Sequence, residues 1–86
     1  MKMSMDKPSL WVDFQNSDTL GRVRLNTVGT LHDLKKLGIE LQEGLAVRLY
    51  CLELEGDGIV IYSKEEGIWV AVVNWDHLKE RESGAR

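Results

Sequence analysis

The strongest structural signal in this chain is the stretch Ile59–Val73, which reads IVIYSKEEGIWVAVV. Two runs of β-branched and aromatic residues flank the polar tetrapeptide KEEG, which has the length and composition of a hairpin loop. If Ser63 pairs with Ile68, each residue further back along the first strand pairs with one further forward along the second, so that Ile61 pairs with Val70. The stretch therefore predicts an antiparallel hairpin with a defined register.

Both faces of this predicted hairpin are apolar, although a half-exposed antiparallel sheet normally alternates apolar and polar residues. The first face carries Ile59, Ile61, Ile68, Val70 and Val72, and the second carries Val60, Tyr62, Trp69, Ala71 and Val73. The branched face has no polar atom that needs a partner, so we expect it to form the core. Tyr62, Trp69 and Val73 then face outward as a contact patch, with Trp69 as its anchor. We expect this patch to be covered either from within the chain, by the helix or the N-terminal strand, or by a second chain.

Three further segments have the alternation or the length of strands, namely Leu10–Phe14, Arg22–Leu25 and Leu45–Leu54. The tetrapeptide Glu55-Gly56-Asp57-Gly58 contains an Asp-Gly pair, which favours a tight turn. We therefore predict a second hairpin, in which this tetrapeptide joins the third segment to the strand Ile59–Ser63.

One short helix is predicted between the second and third of these segments. Thr30 can cap its first turn and Gly38 can end it, so the helix covers Leu31–Leu37. Leucines at positions i, i+3 and i+6 form an apolar stripe along one side of this helix, and they are Leu31, Leu34 and Leu37. A two-turn helix is not stable alone, so we expect this stripe to dock on the sheet.

Together these elements predict a mainly β domain, a small five-stranded antiparallel barrel that is partly open, with one short helix and a C-terminal helical turn. The chain from Leu45 onward, with two tight hairpins, a Trp-bearing strand and a closing helical turn, is similar to SH3-like barrels. That resemblance implies a shared architecture and no particular activity. We expect residues 1–9 to be a disordered lead-in, residues 10–78 to form one domain, and residues 79–86 to be a frayed polar tail.

Composition narrows the class of protein. The chain has 86 residues, 43% of them hydrophobic, and its formal net charge is −3, with 11 Lys and Arg against 14 Asp and Glu. Such a composition predicts one small folded domain without a strongly basic surface. Cys51 is the only cysteine, so no intramolecular disulfide can form, and a reducing cytoplasmic location is predicted. No segment approaches the roughly 20 apolar residues that cross a bilayer, so no membrane association is expected.

The sequence predicts neither a metal site nor a catalytic site. His32, His77 and Cys51 are too few and too widely spaced for structural zinc, which uses four nitrogen or sulfur ligands. Cys51 lies in an apolar run, where we expect a buried and unreactive thiol. No nucleophile, base and orienting residue can be assembled, so we expect a protein that is not an enzyme and uses no cofactor.

The favoured interpretation is a non-enzymatic domain that acts through protein contacts, either as a homodimer or as an adaptor-like binder of another protein. The alternative is a small-barrel nucleic-acid-binding protein that uses Arg22, Arg24 and Arg48 as a basic stripe. Outward charges on an edge strand also protect against aggregation, and the chain is acidic overall, so nucleic-acid binding is the less favoured of the two.

Overall fold

A six-stranded sheet, curled into a half-barrel, forms most of the structure, which is a computed structural model that describes residues 7–81. The elements in chain order are β1 (Ser9–Trp11), β2 (Val23–Arg24), α1 (Val28–Leu37), β3 (Ala46–Tyr50), β4 (Leu54–Ser63), β5 (Ile68–Val73), a 3-10 turn (Trp75–His77) and β6 (Lys79–Glu80). The predicted mainly β class, with one helix and a C-terminal helical turn, is therefore confirmed.

The strands follow the order β1-β3-β4-β5-β2, and the long strand β4 pairs with β6 as well. The sheet thus has six strands in place of the predicted five. The β1–β3 pair is parallel, with Leu10 opposite Leu49, whereas the other strand pairs are antiparallel. Leu10, Leu49 and Val47 are fully buried, so the core lies inside the curl of the sheet.

The central hairpin has the register that its loop length predicts. Ser63 pairs with Ile68, Ile61 with Val70, and Ile59 with Val72. Its two faces, however, are largely reversed relative to the prediction, although Val70 of the first face is fully buried and Tyr62 of the second is 42% exposed, as predicted. Val60 and Ala71 are fully buried in the core, whereas Ile59 and Val72 are 43% and 45% exposed.

Strand β3 explains this reversal. The buried residues Val47 and Leu49 alternate with Arg48 and Tyr50, and a charged guanidinium has to face away from the core. The β3–β4 register pairs Ala46 with Ile59, on the face of the sheet that carries Arg48. The branched residues of the hairpin therefore lie on the outer face of the sheet.

The predicted turn at Glu55–Gly58 is wrong, because this tetrapeptide lies within β4 and the chain turns at residues 51–53 instead. Gly58 allows a close approach there, since a Cβ on Gly58 would lie 2.7 Å from Leu49 Cδ1 and 3.2 Å from the Val72 carbonyl oxygen. The glycine is needed for packing between strands and not for a positive φ angle.

Helix α1 begins three residues before the predicted start. Thr27 is its N-cap and accepts a hydrogen bond from the Thr30 backbone N–H at 3.3 Å, and Thr30 itself is fully buried. Gly38 ends the helix with a φ of 67°, as predicted. The leucine stripe does not dock as a unit, because Leu31 and Leu37 are 52% and 47% exposed while only Leu34 packs against the core.

Ordered pairing extends beyond the predicted domain bounds at both ends. Ser9 belongs to β1, and the Pro8 carbonyl accepts a hydrogen bond from the Arg48 N–H at 2.8 Å. Lys79–Glu80 form β6 and pair with the start of β4. The remaining parts of the predicted lead-in and tail, residues 1–6 and 82–86, lie outside the described residues. Between residues 7 and 81, no helix has the length and apolar composition that crossing a membrane requires.

A Gly58→Ala substitution tests the packing between β3, β4 and β5. The added methyl group meets Leu49 and the Val72 carbonyl, so we expect a loss of about 1 to 3 kcal/mol in the free energy of unfolding, measured by urea denaturation. The neighbouring Ile59→Ala is the control, since Ile59 is 43% exposed, and its loss should be smaller. Equal stability of Gly58→Ala and the wild-type protein would contradict this account.

Candidate binding groove

An open groove separates the N-terminal half of α1 from the ends of β1 and β3. Its volume is about 540 Å3, and its lining residues are Trp11, Thr27, Val28, Gly29, His32, Asp33 and Tyr50. Most of the lining is apolar or aromatic, because Trp11 and Tyr50 lie on the outer face of the sheet, opposite each other in the parallel β1–β3 pair.

The Trp11 wall is fixed through its backbone. The Trp11 N–H donates to Asp33 Oδ2 at 2.8 Å, and the Thr30 hydroxyl donates to the Trp11 carbonyl at 2.6 Å. These two side chains of α1 take the place of a neighbouring strand along the free edge of β1. The edge is therefore closed against pairing with another chain at this point.

The Tyr50 wall is fixed by the same carboxylate. The Tyr50 hydroxyl donates to Asp33 Oδ2 at 2.7 Å, and the Arg81 guanidinium lies 4.9 Å from the centre of the Tyr50 ring. The hydrogen bond to Asp33 raises the pKa of Tyr50, and burial adds to this shift, because ionisation would place a phenolate beside a carboxylate. One oxygen atom thus positions both aromatic walls.

Gly29 sets the distance between the helix and Trp11. A Cβ on Gly29 would lie 2.7 Å from Trp11 Cε3 and 2.9 Å from Trp11 Cδ2, so any side chain here would push the helix away from the indole. The glycine lies inside the first turns of a helix, where its intrinsic propensity is unfavourable. Glycine is required at this position because it allows the helix backbone to contact the Trp11 ring closely.

The groove offers apolar contact area with few polar groups. Val28 is 84% exposed on the helical rim, and the His32 side chain is 75% exposed beside it. The Asp33 side chain is only 15% exposed, and its Oδ2 atom is engaged by Trp11 and Tyr50. This arrangement suits the binding of an apolar or aromatic group between two preformed walls.

The residues of the predicted contact patch are placed differently from one another. Tyr62 is 42% exposed and packs edge-to-face on Trp69, with ring centres 5.1 Å apart. Trp69 is half-buried and packs against the core, and Val73 is 7% exposed within the core. The structure thus brings Tyr62 and Trp69 together and separates Val73 from them. Whether Tyr62 and Trp69 contact a partner stays a prediction.

The three predicted nucleic-acid-binding arginines each face a carboxylate. Arg22 Nε lies 2.7 Å from Asp18 Oδ2, and Arg24 holds both carboxylate oxygens of Glu66 at 2.8 and 2.7 Å. The hydrogen bond to Arg24 is the main cause that lowers the pKa of Glu66. Arg48 lies at the longer distance of 3.9 Å from an oxygen of Asp57.

These ion pairs offset the charge that a phosphate backbone would contact. Arg22 and Arg24 share the region around β2, whereas Arg48 lies on β3, with β4 and β5 between the two strands. The arginines therefore do not form one continuous stripe, although nucleic-acid binding itself stays an untested prediction.

The histidines and the cysteine lie in separate places. His32 is on α1, His77 is in the 3-10 turn beside Asn74, and Cys51 is half-buried at the end of β3. Within the described part of the chain, no three or more His, Cys, Asp or Glu side chains are grouped so that they could hold a metal ion.

Sequence reasoning missed the groove, since the contacts that form it join residues far apart in the chain. Asp33 is 22 residues from Trp11 and 17 from Tyr50. One signal was available in the alternation Leu10, Trp11, Val12. It places the tryptophan on one face of the strand and two aliphatic residues, which both belong to the core, on the other face. A tryptophan on the outer side of an edge strand indicates a second apolar surface.

An Asp33→Ala substitution tests the shared carboxylate. It leaves the Trp11 N–H and the Tyr50 hydroxyl without their acceptor, so we expect the free energy of unfolding to fall by about 1 to 3 kcal/mol. The Tyr50 pKa, followed by ultraviolet absorbance, should move to lower pH.

Folded Tyr50 binds its proton more tightly than the unfolded chain does. The resulting stabilisation is present at neutral pH and disappears as the pH rises through the tyrosine range. The control is Asp76→Ala, at an exposed position of the 3-10 turn, which should change neither property. An unchanged tyrosine titration in Asp33→Ala would contradict the proposed geometry.

Comparisons with known proteins found no family model, no curated protein and no solved structure that matches this chain. The resemblance to SH3-like barrels therefore stays a prediction, and the structure itself shows a curled half-barrel of six strands with a 3-10 turn between β5 and β6.

Proposed function

We propose that this protein is a non-enzymatic domain that binds another protein, and that the groove between α1, β1 and β3 receives an apolar or aromatic segment of that partner. The observation that carries the proposal is the double hydrogen bond to Asp33 Oδ2, which fixes Trp11 and Tyr50 as walls before any partner arrives. Preformed walls reduce the entropy that is lost on binding.

The exposed rim of the groove supports this proposal. Val28 is 84% exposed although it lies on a helix that packs against the sheet. Val28 lines the groove together with Trp11 and Tyr50, and a contiguous apolar and aromatic surface of this kind is typical of a binding site. The Trp and Tyr walls belong to the residue types that contribute most binding energy at protein interfaces.

The single cysteine supports a cytoplasmic location for this interaction. Small secreted domains are usually stabilised by several disulfides, and Cys51 has no second cysteine in the chain to pair with. We therefore propose a cytoplasmic partner protein.

Selection from a displayed library of random peptides tests the groove. We expect the enriched peptides to share one or two aromatic or aliphatic residues. A Val28→Asp substitution should weaken their binding by at least about tenfold, since it places a charge on the apolar rim. Val28 is chosen because its exposure makes a folding defect small.

The matched control is Leu20→Asp, which changes an aliphatic side chain that is 70% exposed in the loop before β2. It should leave peptide binding unchanged. Enriched peptides that bind Val28→Asp as tightly as wild type would overturn the proposal. So would a wild-type dimer, seen by sedimentation, that Val28→Asp converts to a monomer, because the groove would then hold a second copy.

A further inference from the structure

The groove contains a carboxylate that is paired differently from the other shielded carboxylates. Three acidic residues between positions 7 and 81 are buried or half-buried, namely Asp18, Asp33 and Glu55. Asp18 Oδ2 lies 2.7 Å from Arg22 Nε, and Glu55 Oε2 lies 4.0 Å from Lys79 Nζ. Asp33 forms no ion pair with a lysine or arginine of the described chain, although its side chain is only 15% exposed. Shielded charges are normally paired, so the groove presents a carboxylate that suits a cation from outside.

The two oxygen atoms of Asp33 have different surroundings. Oδ2 accepts hydrogen bonds from the Trp11 N–H at 2.8 Å and from the Tyr50 hydroxyl at 2.7 Å, which use both of its lone pairs. Oδ1 accepts no hydrogen bond from the described part of the chain. It lies 3.9 Å from Nδ1 of His32, which lines the groove together with Asp33. One oxygen atom is therefore available at the groove for a new donor.

The aromatic walls beside this oxygen also suit a cation, because the faces of tryptophan and tyrosine rings attract positive charge. Tyr50 already holds one cation, since the Arg81 guanidinium lies 4.9 Å from the centre of its ring. Arg81 Nη1 donates to the Cys51 carbonyl at 2.8 Å and does not pair with Asp33. Within the described residues, no cation lies over the Trp11 ring in this way.

The apolar lining of the groove suits a long aliphatic stem. The groove has a volume of about 540 Å3, and Trp11 and Val28 provide apolar contact area along it. A lysine side chain combines an apolar methylene stem with a charged end, so it can cover apolar surface and still reach a carboxylate. The groove therefore matches both parts of this side chain.

The geometry of the carboxylate favours an ammonium group over a guanidinium. Arginine binds a carboxylate most strongly through both of its oxygens. Arg24 does so in this chain, with the two oxygens of Glu66 at 2.8 and 2.7 Å. Asp33 has only Oδ1 left to offer, because Oδ2 is used by the groove walls. An ammonium group is a compact point charge that needs a single acceptor, so lysine fits this site better than arginine.

We propose that the partner segment received by the groove carries a lysine, whose ammonium group donates to Asp33 Oδ1 and whose stem packs along Trp11. Apolar neighbours of this lysine then cover Val28 at the rim. The inference rests on the proposed function, since it names the residue that the groove recognises in the partner. Asp33 thus has two tasks, because Oδ2 holds the walls and Oδ1 binds the ligand.

Substitution within the selected peptides tests the lysine. We expect the peptides that bind the groove to share one lysine beside an apolar residue. Its replacement by norleucine, which keeps an unbranched stem and lacks the charge, should weaken binding at least about tenfold in isothermal titration calorimetry. Replacement by arginine should weaken it less than norleucine does. Norleucine in place of a lysine outside the shared motif is the matched control and should change the affinity little.

An Asp33→Asn substitution tests the carboxylate. The amide oxygen can still accept hydrogen bonds from the Trp11 N–H and the Tyr50 hydroxyl, whereas the negative charge is lost. We expect this variant to bind the lysine and norleucine peptides equally well. Asp76→Asn, at an exposed position of the 3-10 turn, is the control and should keep the difference between the two peptides. If Asp33→Asn does not fold, the comparison of lysine with norleucine on the wild-type protein still decides.

A probe that needs no selected peptide tests the ammonium site alone. Titration with Nα-acetyl-lysine methylamide should shift the NMR signals of the Gly29 amide and the Trp11 indole in the wild-type protein, and should shift them far less in Asp33→Asn. Equal shifts in both proteins would overturn the inference.

The same measurements separate this inference from the proposed function. Peptides that Val28→Asp weakens, but that carry no shared lysine or bind equally well with norleucine, would overturn the inference and leave the proposed function standing. A probe that shifts the groove signals through Asp33, while no peptide depends on Val28, would support the ammonium site and count against the proposed partner.

Discussion

The carboxylate of Asp33 joins helix α1 to strands β1 and β3. Its Oδ2 atom accepts hydrogen bonds from the Trp11 N–H of β1 and from the Tyr50 hydroxyl of β3. Hydrogen bonds to a charged acceptor are stronger than neutral ones, and this carboxylate is only 15% exposed. Helix α1 is therefore anchored to the sheet by polar contacts, which explains why most of its leucine stripe can remain exposed.

This polar anchoring has a consequence for the surface of the domain. Because Thr30 and Asp33 face the edge of β1, the side of the helix that carries Val28 and His32 turns towards solvent beside Trp11. A helix docked through Leu31 and Leu37 would have buried its leucines and left no such rim. The groove is thus a product of the way in which the helix is attached.

Local features of the sequence predict the hairpin, and long-range ones determine its faces. The four-residue loop between Ser63 and Ile68 sets the register, so the pairing could be predicted from the stretch alone. The choice of buried face depends on the register between β3 and β4. The sequence does not reveal this register, because Glu55–Gly58 has the composition of a turn although it lies within β4, where Gly58 allows close packing. The groove could not be predicted either, since Asp33 accepts its hydrogen bonds from Trp11 and Tyr50, which are 22 and 17 residues away in the chain.

The two faces of the sheet are covered to different extents, and chain length accounts for this difference. A domain of this size buries only about 60% of the surface that its unfolded chain exposes, so a single layer of sheet cannot seal both of its faces. The inner face is closed by the curl of the sheet around Leu10, Val47 and Leu49. On the outer face Val70 is fully buried, whereas Ile59 and Val72 remain 43% and 45% exposed, so this face is covered over only part of its area. The exposed part of the outer face and the groove beside α1 are therefore the apolar surfaces that this small domain leaves open to solvent within residues 7–81.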